Sequence, residues 1–575
     1  MRKSSFKTLK RKKYLNKPSK KNKRIIVIAI FLLLLVSFFV IRLYKLQIVN
    51  SEKYIKQLDS MRLKRSYVPA PRGNISDRNG VLLAHTLVKR FVDISETFKG
   101  VYGSKRNSLI EELSDICGIS VLSVMDYISE GNDIPLRLDV SFDNPEISLD
   151  YKFERVYDFN GSMSHIVGYV NKELKGIAGI ENTFDNWLKG QDGLFHTEVD
   201  SVTRKLRNYW IKKPQAGNDL SLSVDSELTN FIDGILSEIE NNSVVIVTNP
   251  ANGEILSMVS HPYFESGEMV GYMPQEKWEE LIEDPGKVFL NRAIQDSYNP
   301  GSLIKPFVSL CALSRSSEEV QKEVINRIIC NGKFIIESSN GDDYVYHDWK
   351  RDGHGITNFF TSILGSCNIY FYELGIRLGI DYMKEIADQV NLTEKSGVEL
   401  PGEIKGIFPD KNWKKNFIGE RWYLGDTVLS SIGQGYVSIT PVELIKMIEF
   451  IGNEGRVCKS TLLKNKQSKA ELLIDLPDSH WNYLKTAMNG VINNPNGTAY
   501  NVFKDSAYSK DLIGKTGTAE TGVENIYNSW FTCLYPQNNP EIAILVFVEK
   551  GGYGSSTAAP IGKRILDYYM EGKTE

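Results

Sequence analysis

Six cysteines in 575 residues, none in a Cys-x-x-Cys pair, exclude a disulfide scaffold. Most of them read as small buried hydrophobes. The chain holds no His-Glu-x-x-His pair, no P-loop and no dinucleotide glycine fingerprint, so hydrolytic-metal and nucleotide chemistry are unsupported. Internal repeats are absent, and so is low complexity beyond the N-terminal tail. A basic excess is also missing. With 69 Lys+Arg against 71 Asp+Glu and a formal net charge of −2, nucleic-acid binding has no global support. What is there is ordinary: 42% hydrophobic residues, the composition of a globular protein. The length requires two or more domains, because single cores stop growing at roughly 250–300 residues.

The near-neutral total hides a split. Residues 1–24 hold 12 Lys/Arg and no acid, which leaves 57 basic against 71 acidic residues in the remainder. This basic tail runs into Ile25–Ile41, 17 residues that are apolar except for Ser37, flanked by Arg24 and Arg42. That is the short limit for a bilayer-spanning helix, about 17–25 residues. The following RLYKLQIV offers no small-x-small cleavage site, so the segment reads as an uncleaved signal anchor over 25–45. The positive-inside rule places the tail in the cytoplasm and the rest outside, a single-pass cell-membrane protein with an extracytoplasmic body.

Residues 72–84 (RGNISDRNGVLLA) predict two short strands around an Asn79-Gly80 hairpin turn. From about 90 to 215 short strands and helices mix without a catalytic constellation. Ser221–Asp225 and Val244–Ser260 read as strands, the latter a pair joined at Pro250–Gly253. Helical patterns dominate from about 300 to 450. Ser529–Leu534 and Ile542–Glu549 are strand-like, and Ala558–Tyr569 is a closing amphipathic helix. The arrangement predicts an α/β (α+β) domain whose sheet joins segments far apart in the chain.

Three short motifs stand in order: Ser302-Leu303-Ile304-Lys305, Ser366-Cys367-Asn368 and Lys515-Thr516-Gly517-Thr518. Each alone is cheap; together, behind an export anchor, they are informative. Ser302 follows a Tyr298-Asn299-Pro300-Gly301 turn that can start a helix, and i,i+3 spacing there puts the Lys305 amine within reach of the Ser302 hydroxyl. A serine needs a base, and an amine serves only when neutral. Partial burial beside a second cation, Lys515, pushes Lys305 in that direction. An extended or turn backbone at 366–368 would aim Ser366 and Asn368 into a cleft and Cys367 away from it. The three motifs together resemble the set of penicillin-binding proteins and serine β-lactamases, which implies that Ser366 relays a proton to the leaving amine and Asn368 bonds the substrate amide. Residues 514–518 read as a strand whose glycine lets an acyl-peptide backbone lie close, with Lys515 and Thr516 on a substrate carboxylate.

RGNISDRNGVLLA resembles the pedestal signature of class B penicillin-binding proteins, the monofunctional D,D-transpeptidases of peptidoglycan synthesis. GIAGIENTFDNWLKGQDG (176–193) resembles a second pedestal motif, and NPANGEILSMVSHPYF (249–264) the opening strands of the transpeptidase domain. NRAIQDSYNPGSLIKP (291–306) is similar to the nucleophile segment, with SLIK in place of the commoner STFK. WYLGDTVLSSIGQGYVSITPVEL (422–444) looks most like the elongation-type subgroup, and the lack of a segment after residue 575 for division-type C-terminal repeats leans the same way.

The resemblance implies a pedestal over 46–220 and a penicillin-binding/serine β-lactamase-like domain over 221–575, with a central antiparallel sheet flanked by helices. It implies acylation of Ser302 by a D-Ala-D-Ala stem peptide or a β-lactam, and an oxyanion hole from the backbone N–H groups of Ser302 and Thr518, with substrate held along Thr516, Gly517 and Thr518. It further implies no organic cofactor and a SEDS-type glycan polymerase as membrane partner.

Cys330, Asp348, His354 and Cys367 form a set suited to a closed tetrahedral Zn²⁺ site. The spacing also resembles a zinc site of elongation-type relatives, with Cys330 in a position where the first ligand can be Asp. A Cys330–Cys367 disulfide, a plain core role for Cys367, and His347 in place of His354 are the alternatives. Two other functions compete with transpeptidation. A membrane-tethered serine β-lactamase would need a base for deacylation, and no residue stands out as one. A silent β-lactam sensor or scaffold would need a cytoplasmic domain or a lost motif residue, and neither is found.

Overall fold

The computed structural model describes residues 20–55, 63–137, 139–140, 144, 146–199, 205–271, 273–315, 327–337, 343–466 and 468–572. Of the basic tail, residues 1–19 lie outside this set. Helix α1, Lys20–Tyr44, continues as a π-turn through Val49. Arg24–Val49 is long and apolar enough to cross a membrane. Its 26 residues rise about 39 Å against a hydrocarbon core of about 30 Å. Its apolar side chains are exposed, covered by no other part of the protein.

The predicted hairpin forms. Asp77 N–H donates to Val81 O, Asp77 Oδ1 accepts from the backbone of Asn79 and Val81, and Gly80 takes a left-handed φ of 86°. Strand Leu82–Val92 then pairs along its length with Leu149–Tyr157, inside a sheet ordered Ile134–Leu136, Leu82–Val92, Ile75–Ser76, Leu220–Ser221. The predicted strand at 221–225 is cut short. Asp225 caps helix α2, Ser226–Leu236, by accepting from Leu228 N–H, so only Leu220–Ser221 remains in the sheet.

The two pedestal motifs meet in a buried ion network. Glu181 accepts from Arg72 Nε at 2.5 Å and from Arg155 Nε at 2.7 Å, and Arg72 also donates to Asp185 Oδ1 at 2.6 Å. Glu181 and Arg155 side chains are inaccessible. Removing the shared carboxylate leaves the buried Arg155 with no carboxylate and Arg72 with Asp185 alone, so Glu181→Ala should cost about 3–5 kcal/mol. Chemical denaturation of the full chain followed by tryptophan fluorescence checks this. An unchanged midpoint would remove the network from the determinants of stability.

The second domain is built on an antiparallel five-stranded sheet. Its strands are β1 (Ser243–Asn249), β2 (Glu254–His261), β7 (Ile513–Glu520), β8 (Tyr527–Tyr535) and β9 (Ile542–Val548), in the order β2-β1-β9-β8-β7. Between β2 and β7 the chain forms α3 (Lys305–Leu313), the short pairs β3 (Ile328–Cys330) with β6 (Gly355–Thr357) and β4 (Lys333–Ile336) with β5 (Tyr344–His347), α4 (Phe359–Leu364), α5 (Asn368–Leu378), α6 (Pro441–Gly452) and α7 (Asp478–Asn493). Helix α8, Ala558–Glu571, closes the domain.

Unbroken apolar runs such as IAILVFV demand burial on both sheet faces, and β9 is buried throughout. Gly562 of α8 lies against Phe531, and Gly452 of α6 against Leu534, so the two helices cover opposite faces of β8. Strand β7 forms the edge of the sheet, beside the turn that carries Ser302.

Candidate active site

Three chain segments converge at that edge. Tyr298 exchanges backbone hydrogen bonds with Ile439, and Gly301 N–H donates to Gly433 O at 3.0 Å. Gly301 has φ 53°, and a Cβ there would stand 2.7 Å from Thr518 O, so only glycine lets the Ser302 turn close onto β7. Residues Gly301–Ile304 form a 3₁₀ turn, not the first turn of an α-helix, before α3 begins at Lys305 with Pro306 in its first turn. Pro306 costs little there, since first-turn N–H groups lack partners anyway.

Lys305 is fully buried. Its Nζ donates to Ser366 O at 2.8 Å, Ser366 Oγ at 3.2 Å and Asn368 Oδ1 at 2.7 Å. Those acceptors occupy all three donors of an ammonium. Among the described residues, Lys305 makes no hydrogen bond to the Ser302 hydroxyl, contrary to what i,i+3 spacing predicts. Burial pushes the Lys305 pKa down to about 8, against the pull of Asp348 and Cys367. Lys515, also fully buried, donates to Ser366 Oγ at 3.0 Å and to Thr516 O at 2.9 Å. Burial first, and then the Lys305 charge, hold it well below the ordinary lysine value. The Ser366 hydroxyl thus sits between two buried amines.

Local backbone explains that placement. Ser366 takes φ 55°, Cys367 is extended, and Asn368 opens α5. The turn brings Ser366 and Asn368 to Lys305 and sends Cys367 to the opposite side. Trp349, which no sequence pattern singled out, donates from Nε1 to both Gly365 O and Ser366 O at 3.2 Å. Thr498 Oγ1 lies 2.6 Å from Thr516 Oγ1, and Thr518 Oγ1 accepts from Gly554 N–H at 3.2 Å. Neither Trp349 nor Thr498 sits in a recognisable motif.

Gly517 departs from its predicted use. A Cβ there would stand 3.0 Å from Leu303 Cγ and 3.1 Å from Pro300 O. Its bare side is filled by the protein's own Ser302 turn, not left open for a substrate backbone.

Behind this wall, Cys330, Asp348, His354 and Cys367 bring one ligand atom each to within 4.8 Å of one another. Cys330 Sγ lies 3.5 Å from Asp348 Oδ2 and 3.7 Å from His354 Nδ1, and that nitrogen lies 3.4 Å from Asp348 Oδ2. A tetrahedral zinc with bonds of about 2.0–2.3 Å needs ligand–ligand edges of roughly 3.3–3.8 Å, so these residues fit the ion. Both thiols are free, so no Cys330–Cys367 disulfide is formed. His347 is exposed at the end of β5 and takes no place in the cluster. Asp348 Oδ2 also accepts from the backbone N–H of Asn368 at 3.0 Å, joining the cluster to the wall. Burial opposes ionisation of Asp348, but hydrogen bonds from His354 and the Lys350 N–H, with the Lys305 charge, hold its pKa well below the ordinary carboxylate value.

Comparison with known proteins matches two stretches of the chain. Residues 67–222 match the penicillin-binding protein dimerisation domain, and residues 243–567 match the penicillin binding protein transpeptidase domain. The peptidoglycan D,D-transpeptidase MrdA of Haemophilus influenzae is 28% identical, covering 99% of this chain and 95% of its own. The penicillin-binding protein PBP2 of Helicobacter pylori, solved in complex with MreC, superposes with a TM-score of 0.70 at 26% identity, over 88% of this chain and 99% of that one. Pseudomonas aeruginosa PBP2 in complex with WCK 5153 gives 0.67 at 26% identity, over 88% and 96%. The chain belongs to the penicillin-binding protein transpeptidase family.

Proposed function

We propose that this protein is a peptidoglycan D,D-transpeptidase that cross-links stem peptides through an acyl-enzyme on Ser302. The observation that carries the assignment of roles is the Ser366 hydroxyl held by two buried lysines from separate motifs, beside the Ser302 turn. Neutral Lys305 takes the Ser302 proton as the oxygen attacks the penultimate D-Ala carbonyl. Burial keeps positive charge off Lys305, and Lys515 donates to Ser366 Oγ and polarises that hydroxyl, which passes a proton to the departing D-Ala amine. The N–H groups of Ser302 and Thr518 receive the oxyanion. Thr516 and Thr518 line the edge of β7 where the substrate carboxylate is held, and Asn368 meets the substrate amide. A second stem amine then takes the acyl group. β-Lactams acylate the same oxygen.

Fluorescent penicillin with mass-spectrometric mapping tests the assignment. A stable adduct on Ser302, absent in Ser302→Ala, supports it; rapid release of hydrolysed drug would favour a β-lactamase. The rate carries a pH signature as well. A base must be neutral, so acylation should rise with pH through about 8, the value of Lys305, and level off above it. A rate that is flat across that pH would take Lys305 out of the role.

The cluster of Cys330, Asp348, His354 and Cys367 holds a structural Zn²⁺, which supplies a rigid anchor behind residues 366–368. α1 anchors the enzyme with its basic tail in the cytoplasm, the pedestal spans 46–220, and the catalytic domain spans 221–575 outside. A SEDS-type glycan polymerase meets α1 and the pedestal. The MreC complex of the Helicobacter relative points to an MreC-like protein as a second partner.

A further inference from the structure

A cavity of about 400 Å³ lies between α3, α6 and residues 390–397, 457–466 and 468–471. It is within the size range of small-molecule sites, about 300–1,000 Å³. Its floor is apolar, made by Phe307 and Leu310 of α3 with Met447 and Phe450 of α6 and Val457. Its rim is cationic: Lys395, Lys446, Lys459, Lys466 and Lys469 line it against three glutamates.

Of the three glutamates, Glu471 stays at the rim as a counter-charge, and the other two are engaged elsewhere. Glu394 is paired at 2.5 Å with Lys405, which lies outside the lining. Glu443 accepts from the backbone of Gly406 and Thr440, and burial pushes its pKa up to about 7. Lys466 pairs with Glu399 at 2.8 Å, but among the described residues Lys395, Lys446, Lys459 and Lys469 make no ion pair. Lys446 donates to Ser396 O at 3.4 Å, and burial pushes its pKa down against the pull of Glu449 and Glu403, so it adds little to the cationic rim. Lys395, Lys459 and Lys469 are exposed around the mouth, where an anion seated over the apolar floor would meet all three amines.

We propose that this cavity binds a small organic anion with an apolar body, its carboxylate or phosphate on the lysine rim and its body on the floor between α3 and α6. The occupant lies against the helix whose first residue is Lys305. The site shares no residue with the three motifs and does not depend on the transpeptidase assignment.

The test is photolabelling of the full chain in phosphatidylcholine nanodiscs with 4-benzoylbenzoate. Labelling should saturate and map to the peptides carrying Met447 and residues 457–471. The uncharged methyl ester should label at least about tenfold more weakly, and Lys395→Glu/Lys459→Glu should raise the half-saturating concentration about tenfold. Both lysines are exposed, and undiminished penicillin labelling of Ser302 in the variant verifies its fold. Equal labelling by the ester, or indifference to the charge reversal, overturns the anionic ligand. Protection by inorganic phosphate as strong as by the unlabelled probe overturns the apolar component. Labelling that never saturates overturns the site.

Discussion

Lys305→Met should lower the rate at which a fluorescent penicillin acylates Ser302 about 10³-fold, as followed by time-resolved in-gel fluorescence. The size is that of a removed general base, about 10²–10⁴. Methionine fills nearly the same volume and needs no ionic partner, so the core around α3 stays packed. What disappears is the amine that three oxygens of the 366–368 turn hold in place. Lys515 cannot substitute. Its Nζ is tied to Ser366 Oγ and to its own strand at Thr516 O, on the sheet side of the hydroxyl. Ser366→Ala should cost less, about tenfold to 10²-fold, because it removes the relay and one contact of each lysine but leaves the base. Near-normal acylation by Lys305→Met would mean that another group takes the Ser302 proton.

Much of the molecule was legible because its signals are local. The unbroken apolar runs of β1 and β9 announce strands buried on both faces, and Asn79-Gly80 announces its own turn. The Ser302, Ser366 and Lys515 motifs name the residues that the structure brings together. The less legible features depend on distant contacts. Nothing near Ser302 shows that residues 301–304 wind as a 3₁₀ turn, a shape imposed by closure of Gly301 onto Thr518 and Gly433. Nor does i,i+3 spacing reveal that Lys305 is claimed by oxygens sixty residues away. Gly517 shows the same limit: a glycine in a strand predicts a close approach, but not which backbone approaches. Trp349 and Thr498 act through hydrogen bonds to residues of other segments, and neither the spacing nor the residue type signals them.

His354→Ala is expected to remove zinc from the purified full-length protein, measured as metal per chain by elemental analysis, and to slow acylation about 10²-fold. The link between the two runs through one carboxylate oxygen. Asp348 Oδ2 stands 3.5 Å from Cys330 Sγ and 3.4 Å from His354 Nδ1, and the same oxygen accepts the Asn368 N–H at 3.0 Å. Cys367 lies between Ser366 and Asn368, so a ligand bond to its sulfur fixes both neighbours. Without the ion, two thiols, an imidazole and a carboxylate would stand together with no common partner, and the turn would rely on its hydrogen bonds to Lys305, Lys515, Trp349, Asp348 and the Ser362 carbonyl. A displacement of about 1 Å in catalytic groups is enough for a 10²-fold loss. Cys330→Ser should act in the same direction, while His347→Ala should change neither metal content nor rate. Chelation of the wild type should reproduce the slow rate, and added Zn²⁺ should restore it in the wild type but not in His354→Ala. A chain that carries no metal, yet acylates as fast with His354→Ala as without it, would reduce the cluster to buried packing behind the wall.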